Sequence, residues 1–282
     1  MEDRRMLHDK KASGNTNIAG LNSSSEGFQA GGARVSLFTL GCKVNQVETE
    51  ALQEEFIHRG YQIVDLPEVA DIYVINTCAV TRTAEKKSRA IIRRARRRNP
   101  RSLVVVTGCY AQVAKSELMA LPEVNLVVSN RDKEYLVDCL SRYIKQDEAR
   151  PRDQNRWLRP VEYTYHHGRT RGFVKIQDGC ENYCSYCIVP LARGPVRSKL
   201  PEHVLAEVRS MVANDYREIV LNGIHLGQYG KDLEGWDLIR LLGLILTEIP
   251  GDYRIRLGSV EPTEITEDLV KLVVNERRIC NH

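Results

Sequence analysis

The chain has 282 residues, of which 42% are hydrophobic and 28% charged, enough for two domains and a sizeable core. The net charge of +4 is mild, and no stretch approaches the unbroken apolar length of a membrane span. Eight cysteines in a chain without an export signal point to a reducing compartment, the cytoplasm, where metal binding outranks disulfides.

Residues 1–32 are polar and rich in Ser, Asn and Gly, with no apolar h-region. They read as a disordered extension rather than a secretory signal. From Arg34 onward, β-branched runs at 35–40, 72–76, 103–107 and 126–128 alternate with segments of helical spacing. That alternation predicts an α/β domain over 33–145, a parallel sheet with helices on its faces. The helix expected over 44–59 has Asn45 and Glu48 at capping-box spacing and Gly60 at its end.

The next helix is strongly basic. Between Lys86 and Arg101 stand nine Lys and Arg residues and no acidic one. A clustered basic face suits a protein that approaches phosphates, as RNA binding requires. Equally, Ala84, Ile91, Ile92 and Ala95 supply an apolar face, and the arginines then solvate the other. Asn99-Pro100 ends the helix.

Residues 146–165 read as an interdomain linker, with Pro151 and Pro160 and no clear periodicity. Nearby Tyr163, Tyr165, His166 and His167 suit packing between domains better than base contacts. Over 166–282, strands expected at 172–177, 218–221 and 253–257 alternate with helices at 201–214, 236–248 and 266–275. These are successive βα units of a barrel-like domain. Only three units precede Cys280, so the edge near 253–257 is expected to be unpaired.

Six cysteines draw attention by position. Cys42, Cys78 and Cys109, 36 and 31 residues apart, each follow a predicted strand and so fall at the carboxyl edge of one sheet, where open α/β sheets bind ligands. Three buried, inert thiols are the alternative. Cys180, Cys184 and Cys187 have CxxxCxxC spacing, which can hold three irons of a 4Fe-4S cluster and leave the fourth without a protein ligand. A structural zinc site normally closes with four ligands and a redox pair needs only CxxC. Cys139 lies in a helical pattern and reads as packing; Cys280 is given no role.

With Tyr186 just before its third cysteine, the loop 179–187 resembles that of radical S-adenosylmethionine (SAM) enzymes. The stretches Leu40-Gly41-Cys42-Lys43-Val44-Asn45-Gln46, Asn76-Thr77-Cys78-Ala79-Val80-Thr81 and Thr107-Gly108-Cys109-Tyr110 narrow the resemblance to the methylthiotransferase family. The resemblance runs from about Arg34 to the end of the chain. It implies two 4Fe-4S clusters, one on Cys180, Cys184 and Cys187 that binds and cleaves SAM, and a sulfur-donating one on Cys42, Cys78 and Cys109.

It also implies that Tyr186 lies against the adenine or the cluster, a core aromatic being the alternative. Asn222 and Gly223 fall where the family contacts the SAM amine, although the usual acidic residue is missing. Ser259, Val260, Glu261 and Pro262 resemble a stretch near the SAM pocket, with helix capping by Thr263 or its neighbours an equal use. Arg193 and Arg197 suit pairing with a carboxylate or phosphate, or a solvated surface. Family members carry a partial barrel of six units followed by an RNA-binding β domain. Half the barrel and that β domain are therefore expected to be absent here, as in a truncated or decayed copy.

Within the family, GCKVNQ differs from the GCQMN of the isopentenyladenosine branch and the GCPKN of the ribosomal-protein branch. Together with Ile188-Val189-Pro190 and Arg193-Gly194, it resembles the branch that makes the 2-methylthio form of N6-threonylcarbamoyladenosine 37 in tRNA. The implied partners are a tRNA anticodon loop, whose single-stranded bases proteins can splay out and read, and an electron donor such as a flavodoxin or ferredoxin, with no membrane. Alternatives are a ribosomal-protein aspartate methylthiotransferase, or a non-catalytic iron-sulfur RNA-binding module.

Overall fold

The computed structural model describes residues 32–65, 68–147, 158–161 and 171–281. The extension through residue 31, most of the expected linker, and Tyr163, Tyr165, His166 and His167 lie outside the described residues.

The first sheet contains β1 (Arg34–Thr39), β2 (Gln62–Ile63), β3 (Ile72–Thr77), β4 (Leu103–Gly108) and β5 (Leu126–Val127) in the order β2-β1-β3-β4-β5. All four pairings are parallel. The short strand β2 was not expected from the sequence. Helices α1 (Lys43–His58), α2 (Arg82–Arg98), α3 (Cys109–Val113), α4 (Lys115–Met119) and α5 (Leu136–Lys145) connect and cover the strands.

Side-chain alternation explains the layering. Ile72, Val74, Leu103 and Val105 pack with Leu52, Phe56, Leu136 and Leu140 from α1 and α5. Tyr73, Ile75, Val104 and Val106 turn the other way, onto Ile92 and Ala95 of α2 and Tyr110 and Leu118 of α3 and α4. The sheet is thus buried on both faces.

The second sheet is parallel in the order β10-β9-β6, from β6 (Arg171–Lys175), β9 (Glu218–Asn222) and β10 (Arg254–Leu257). Between β6 and β9 lie a small antiparallel pair, β7 (Gln177–Asp178) with β8 (Arg197–Ser198), and the short helix α6 (Val189–Arg193). Val174, Ile176, Ile219, Leu221 and Ile255 bury against α7 (Pro201–Ala213), α8 (Leu238–Glu248) and α9 (Glu267–Asn275). The opposite face meets α1: the Lys43 ammonium lies 5.5 Å from the Phe173 ring centroid.

The edge at β10 is not bare. Ile255 N donates to Arg278 O at 2.6 Å and Ile255 O accepts from Cys280 N at 2.8 Å, so that Ile279 forms a parallel bridge with Ile255. The chain leaving α9 returns to the sheet in the register of a further strand, which satisfies backbone groups the sequence pattern left unpaired. Among the described residues no helix is long and apolar enough to cross a membrane.

Candidate functional site: two cysteine triads joined by a buried ion network

Cys42 is the residue before α1, Cys78 follows β3 directly, and Cys109 opens α3 immediately after β4. Because β1, β3 and β4 are neighbours, the three thiols gather at the carboxyl edge, across the point between β1 and β3 where the strand order reverses. Gly41, at φ +102°, passes so close to Cys78 that a Cβ there would stand 3.0 Å from its Sγ. Burial pushes the Cys78 thiol up, and the nearby Cys109 and Cys42 sulfurs push the same way.

A polar lattice fixes these loops to one another. Asn45 Nδ2 donates to Leu40 O at 2.7 Å and to Thr77 O at 3.1 Å. Asn76 Nδ2 donates to Asn45 O at 2.9 Å, and Thr77 Oγ1 to Thr107 O at 2.6 Å. Asn130 Nδ2 reaches both Cys109 Sγ at 3.6 Å and Ala192 O at 2.7 Å. Ala192 belongs to α6, yet it packs in the core of the first sheet.

The second triad sits on the loop between β7 and α6. Cys180 N donates to Gly194 O at 3.1 Å and Cys187 N to Cys184 O at 2.9 Å. The loop can start only from glycine: Gly179 has φ +78°, and a Cβ there would lie 1.9 Å from Pro195 O. Gln177 Nε2 holds Asp178 O and Gly179 O at 2.9 Å, while its Oε1 accepts from His225 N at 2.8 Å. Tyr186 is 90% exposed, so it is no core aromatic.

Beside Cys180 lies a group of polar side chains. Asn222, buried at the end of β9, carries an Nδ2 without a hydrogen-bond partner, and Gln228 Oε1 and Glu264 Oε2 are likewise buried and unpaired. His225 Nδ1 stands 3.5 Å from Cys180 Sγ, and its Nε2 lies 2.7 Å from Glu264 Oε1. Gly223 backs onto Gln177, at a point where a Cβ would be 2.9 Å from Oε1. Orphaned buried polar atoms are costly unless a ligand satisfies them. This set fits a cofactor that presents amino, carboxylate and hydroxyl groups next to the thiols, as SAM does.

The thiols fit iron-sulfur clusters in the same sense: two sets of three soft ligands, each set held by its own loops. Among the described residues no three Cys, His, Asp or Glu groups enclose a single-ion site; the thiolates of a cluster bind separate irons. A cleft of about 1250 Å³ between α1 and the starts of β6, β9 and β10 contains none of the six cysteines.

Between the triads lies a buried ion network. Glu48 accepts from Lys133 Nζ at 2.6 Å, Lys175 Nζ at 2.7 Å and Arg193 Nη1 at 2.6 Å. Asp178 accepts from Lys175 at 2.7 Å and Arg193 at 3.1 Å, and Arg193 Nη2 also binds Asn45 Oδ1. Burial by itself would raise the Glu48 carboxyl, but Arg193, Lys133 and Lys175 outweigh it and hold the group well below the usual range. Asp178 is depressed in the same way, burial being overcome by Lys175 and Arg193.

One expectation is corrected here. Asn45 and Glu48 do not form a capping box, because α1 begins at Lys43 and has no side-chain cap; both residues serve the contact with the second sheet instead. Of the two uses open to Arg193, carboxylate pairing is the one found: it is 4% exposed and joins Glu48 and Asp178. Arg197 lies 3.5 Å from Asp178 and 3.8 Å from Glu134. Thr266, rather than Thr263, caps α9, accepting from Leu269 N at 3.2 Å. Cys139 packs against the core of the first sheet, as expected.

The basic helix divides by role. Ser88, Ile92 and Ala95 are buried, Arg89 pairs with Glu117, and Arg96 binds the carbonyls of Pro100, Ser102 and Glu123. Lys86, Lys87, Arg94 and Arg97 are exposed. Sequence reasoning missed Gln177, Asn182, His225, Gln228 and Glu264. Only His225 and Gln228 carry a positional signal, as polar residues just past the apolar strand β9.

Residues 34–129 match the model of "Uncharacterized protein family UPF0004". The threonylcarbamoyladenosine tRNA methylthiotransferase MtaB of Bacillus subtilis is 42% identical over 256 residues, covering 89% of this chain and 56% of the relative. The MtaB of Aquifex aeolicus is 40% identical over 253 residues, covering 88% of this chain and 61% of the relative. The chain thus spans little more than half the length of these relatives. The radical SAM methyltransferase TsrM of Kitasatospora setae shares the fold, with TM-score 0.60 and 15% identity over 86% of this chain and 57% of that one. Its two cysteine-bearing sheets, and its identity to these relatives over about nine-tenths of its length, make the chain a member of the radical SAM methylthiotransferase family.

Proposed function

We propose that this chain carries the two cluster-bearing parts of a tRNA methylthiotransferase that adds a methylthio group at C2 of N6-threonylcarbamoyladenosine 37. Residues 33–145 form the sulfur-donor domain and 166–282 a radical SAM core, joined by a linker at 146–165. Cys42, Cys78 and Cys109 hold one 4Fe-4S cluster; Cys180, Cys184 and Cys187 hold the other. When bound, the second cluster and SAM supply the electron and the carbon radical, and the first supplies the sulfur that is methylated and transferred.

The observation that carries this reading is the convergence of two separate thiol triads on one boundary. α3, which begins with Cys109, packs on α6, which starts two residues after Cys187. The rest falls to the protein's own groups. Gln177 pins the start of the second loop to His225 N. Asn222, Gln228 and Glu264 offer a donor and two acceptors to SAM, and Gly223 keeps the backbone close; Tyr186 projects from the loop to stack on the adenine. The exposed cations Lys86, Lys87, Arg94 and Arg97 meet tRNA phosphates and leave the base identity to contacts at the anticodon loop. A small electron carrier such as a flavodoxin or ferredoxin provides the reductant, in the cytoplasm.

The test is iron and sulfide content after anaerobic reconstitution, compared with the Cys42→Ala, Cys78→Ala, Cys109→Ala variant. A fall from about eight irons to about four establishes two independent clusters; equal values near four sink the donor-cluster reading. Loss of the methylthio nucleoside from tRNA on gene deletion identifies the substrate, whereas its persistence with loss of the ribosomal-protein modification assigns the other branch.

A further inference from the structure

The ion network between the triads is unbalanced. Lys133, Lys175 and Arg193 are buried at 3%, 8% and 4% exposure, against two buried carboxylates, Glu48 and Asp178. Arg197 and Glu134 stand at its rim and offset one another. An uncompensated buried charge is strongly unfavourable, so a further negative group is called for within reach of these cations.

Geometry indicates where it lies. Arg193 reaches Asn45 through Nη2, and Asn45 in turn holds the carbonyls of Leu40 and Thr77, the residues two before Cys42 and one before Cys78. The carbonyl of Ala192, next to Arg193, shares Asn130 Nδ2 with Cys109 Sγ. Arg193 Nε is buried without a hydrogen-bond partner. A negative charge placed at the Cys109 sulfur would favour the charged forms of both Arg193 and Lys133.

We propose that Arg193, carried by the radical SAM half of the chain, is a positioning residue for the Cys42, Cys78 and Cys109 site, supplying the buried positive charge that a cluster on those three thiolates balances. The inference rests on the reading of that triad as a 4Fe-4S site. Three thiolates leave such a cluster net negative, and one-electron reduction makes it more so. A buried guanidinium therefore favours the reduced form and raises the potential of the cluster, in addition to holding the two halves in register. Lys133 adds to the same field.

The experiment is an EPR-monitored redox titration of the full chain carrying Cys180→Ala, Cys184→Ala and Cys187→Ala, so that the other cluster alone is read. Arg193→Gln is expected to lower the equilibrium constant for reduction at least tenfold, about 59 mV for one electron. Arg193→Lys, which keeps the charge, is expected to stay within about threefold. Lys133→Met leaves Glu48 paired to Lys175 and Arg193, so it folds even if Arg193→Gln does not, and it lowers the potential in the same direction. Unchanged potentials in Arg193→Gln and Lys133→Met with iron retained overturn the proposal. So does an Arg193→Lys shift as large as that of Arg193→Gln, which marks a purely packing role. Absence of iron from the background variant overturns instead the underlying reading of the triad, and the inference with it.

Discussion

Arg193 donates from Nη1 to Oε1 of Glu48 at 2.6 Å, across 145 residues of sequence. It ties the first helix after Cys42 to the last residue of the helix after Cys187. The pair is buried on both sides, with side-chain exposures of 1% and 9%, and sits within a set of five charged groups.

Breaking this set from one side is expected to be severe. Glu48→Gln leaves Lys133 and Arg193 short of a carboxylate, and removal of one partner from a buried network costs about 3–5 kcal/mol. Asp138→Asn removes a partner of Arg59 in a half-exposed pair, and costs at most about 1 kcal/mol. Urea denaturation of the two variants checks the contrast, and near-equal losses would contradict the importance assigned to the boundary.

Acid should weaken the protein through the same carboxylate. Glu48 has its folded-state pKa below its unfolded value because three cations outweigh burial, so its stabilising contribution is complete above about pH 4.5 and is lost as the pH falls below it. The stability gap between wild type and Glu48→Gln therefore narrows below that pH. Chemical denaturation at a series of pH values from 7 to about 3 measures this directly, and a gap that widens on acidification would be the wrong sign.

Gly179→Ala separates the two sites. The added Cβ collides with Pro195 O at 1.9 Å and the φ of +78° disfavours it further, so the loop bearing Cys180 cannot close. About four irons should be lost on reconstitution while the Cys42, Cys78 and Cys109 site keeps its own. Loss of all iron would instead mean that neither site forms without the other.

Lys87 and Arg94 stand seven residues apart on the exposed side of α2, close to the same helical face. Lys87→Glu with Arg94→Glu should weaken tRNA binding and flatten its dependence on salt, by about 0.7 in the log–log slope for each contact to a single-stranded phosphate and about 0.9 for each duplex one. Arg96→Glu is expected to act differently, through loss of its bonds to the Pro100, Ser102 and Glu123 carbonyls and hence of stability. Fluorescence anisotropy over a salt series tells the two apart.

The cysteines were legible in the sequence because strand periodicity places Cys42, Cys78 and Cys109 at the ends of β1, β3 and β4, and because the CxxxCxxC spacing is local. The parallel sheets were legible for the same reason. Asn45 and Glu48 were misread as a cap because their spacing satisfies a local rule, while the partners that tie them to the second half of the chain, Lys175 and Arg193, lie 127 to 148 residues away and leave no periodic trace. The return of Ile279 to Ile255 escaped notice because a single bridge needs only one buried residue after a helix. His225, Gln228 and Glu264 follow strands or turns as ordinary polar residues; what distinguishes them is their place beside Cys180 and the buried, unpaired Gln228 Oε1 and Glu264 Oε2.

Ala192 fills the core of the first sheet although its codon follows that sheet by about 65 residues, counting from Val127 at the end of β5. During synthesis, which proceeds at roughly 5–20 residues per second, the first sheet emerges with a gap in its packing and with Glu48 facing no counter-charge from Lys175 or Arg193. Lys175 arrives with β6, and the packing gap and the Arg193 contact close together when α6 docks. The nascent N-terminal half is thereby exposed to chaperones and proteases for several seconds, and its maturation is timed by the arrival of a helix of five residues.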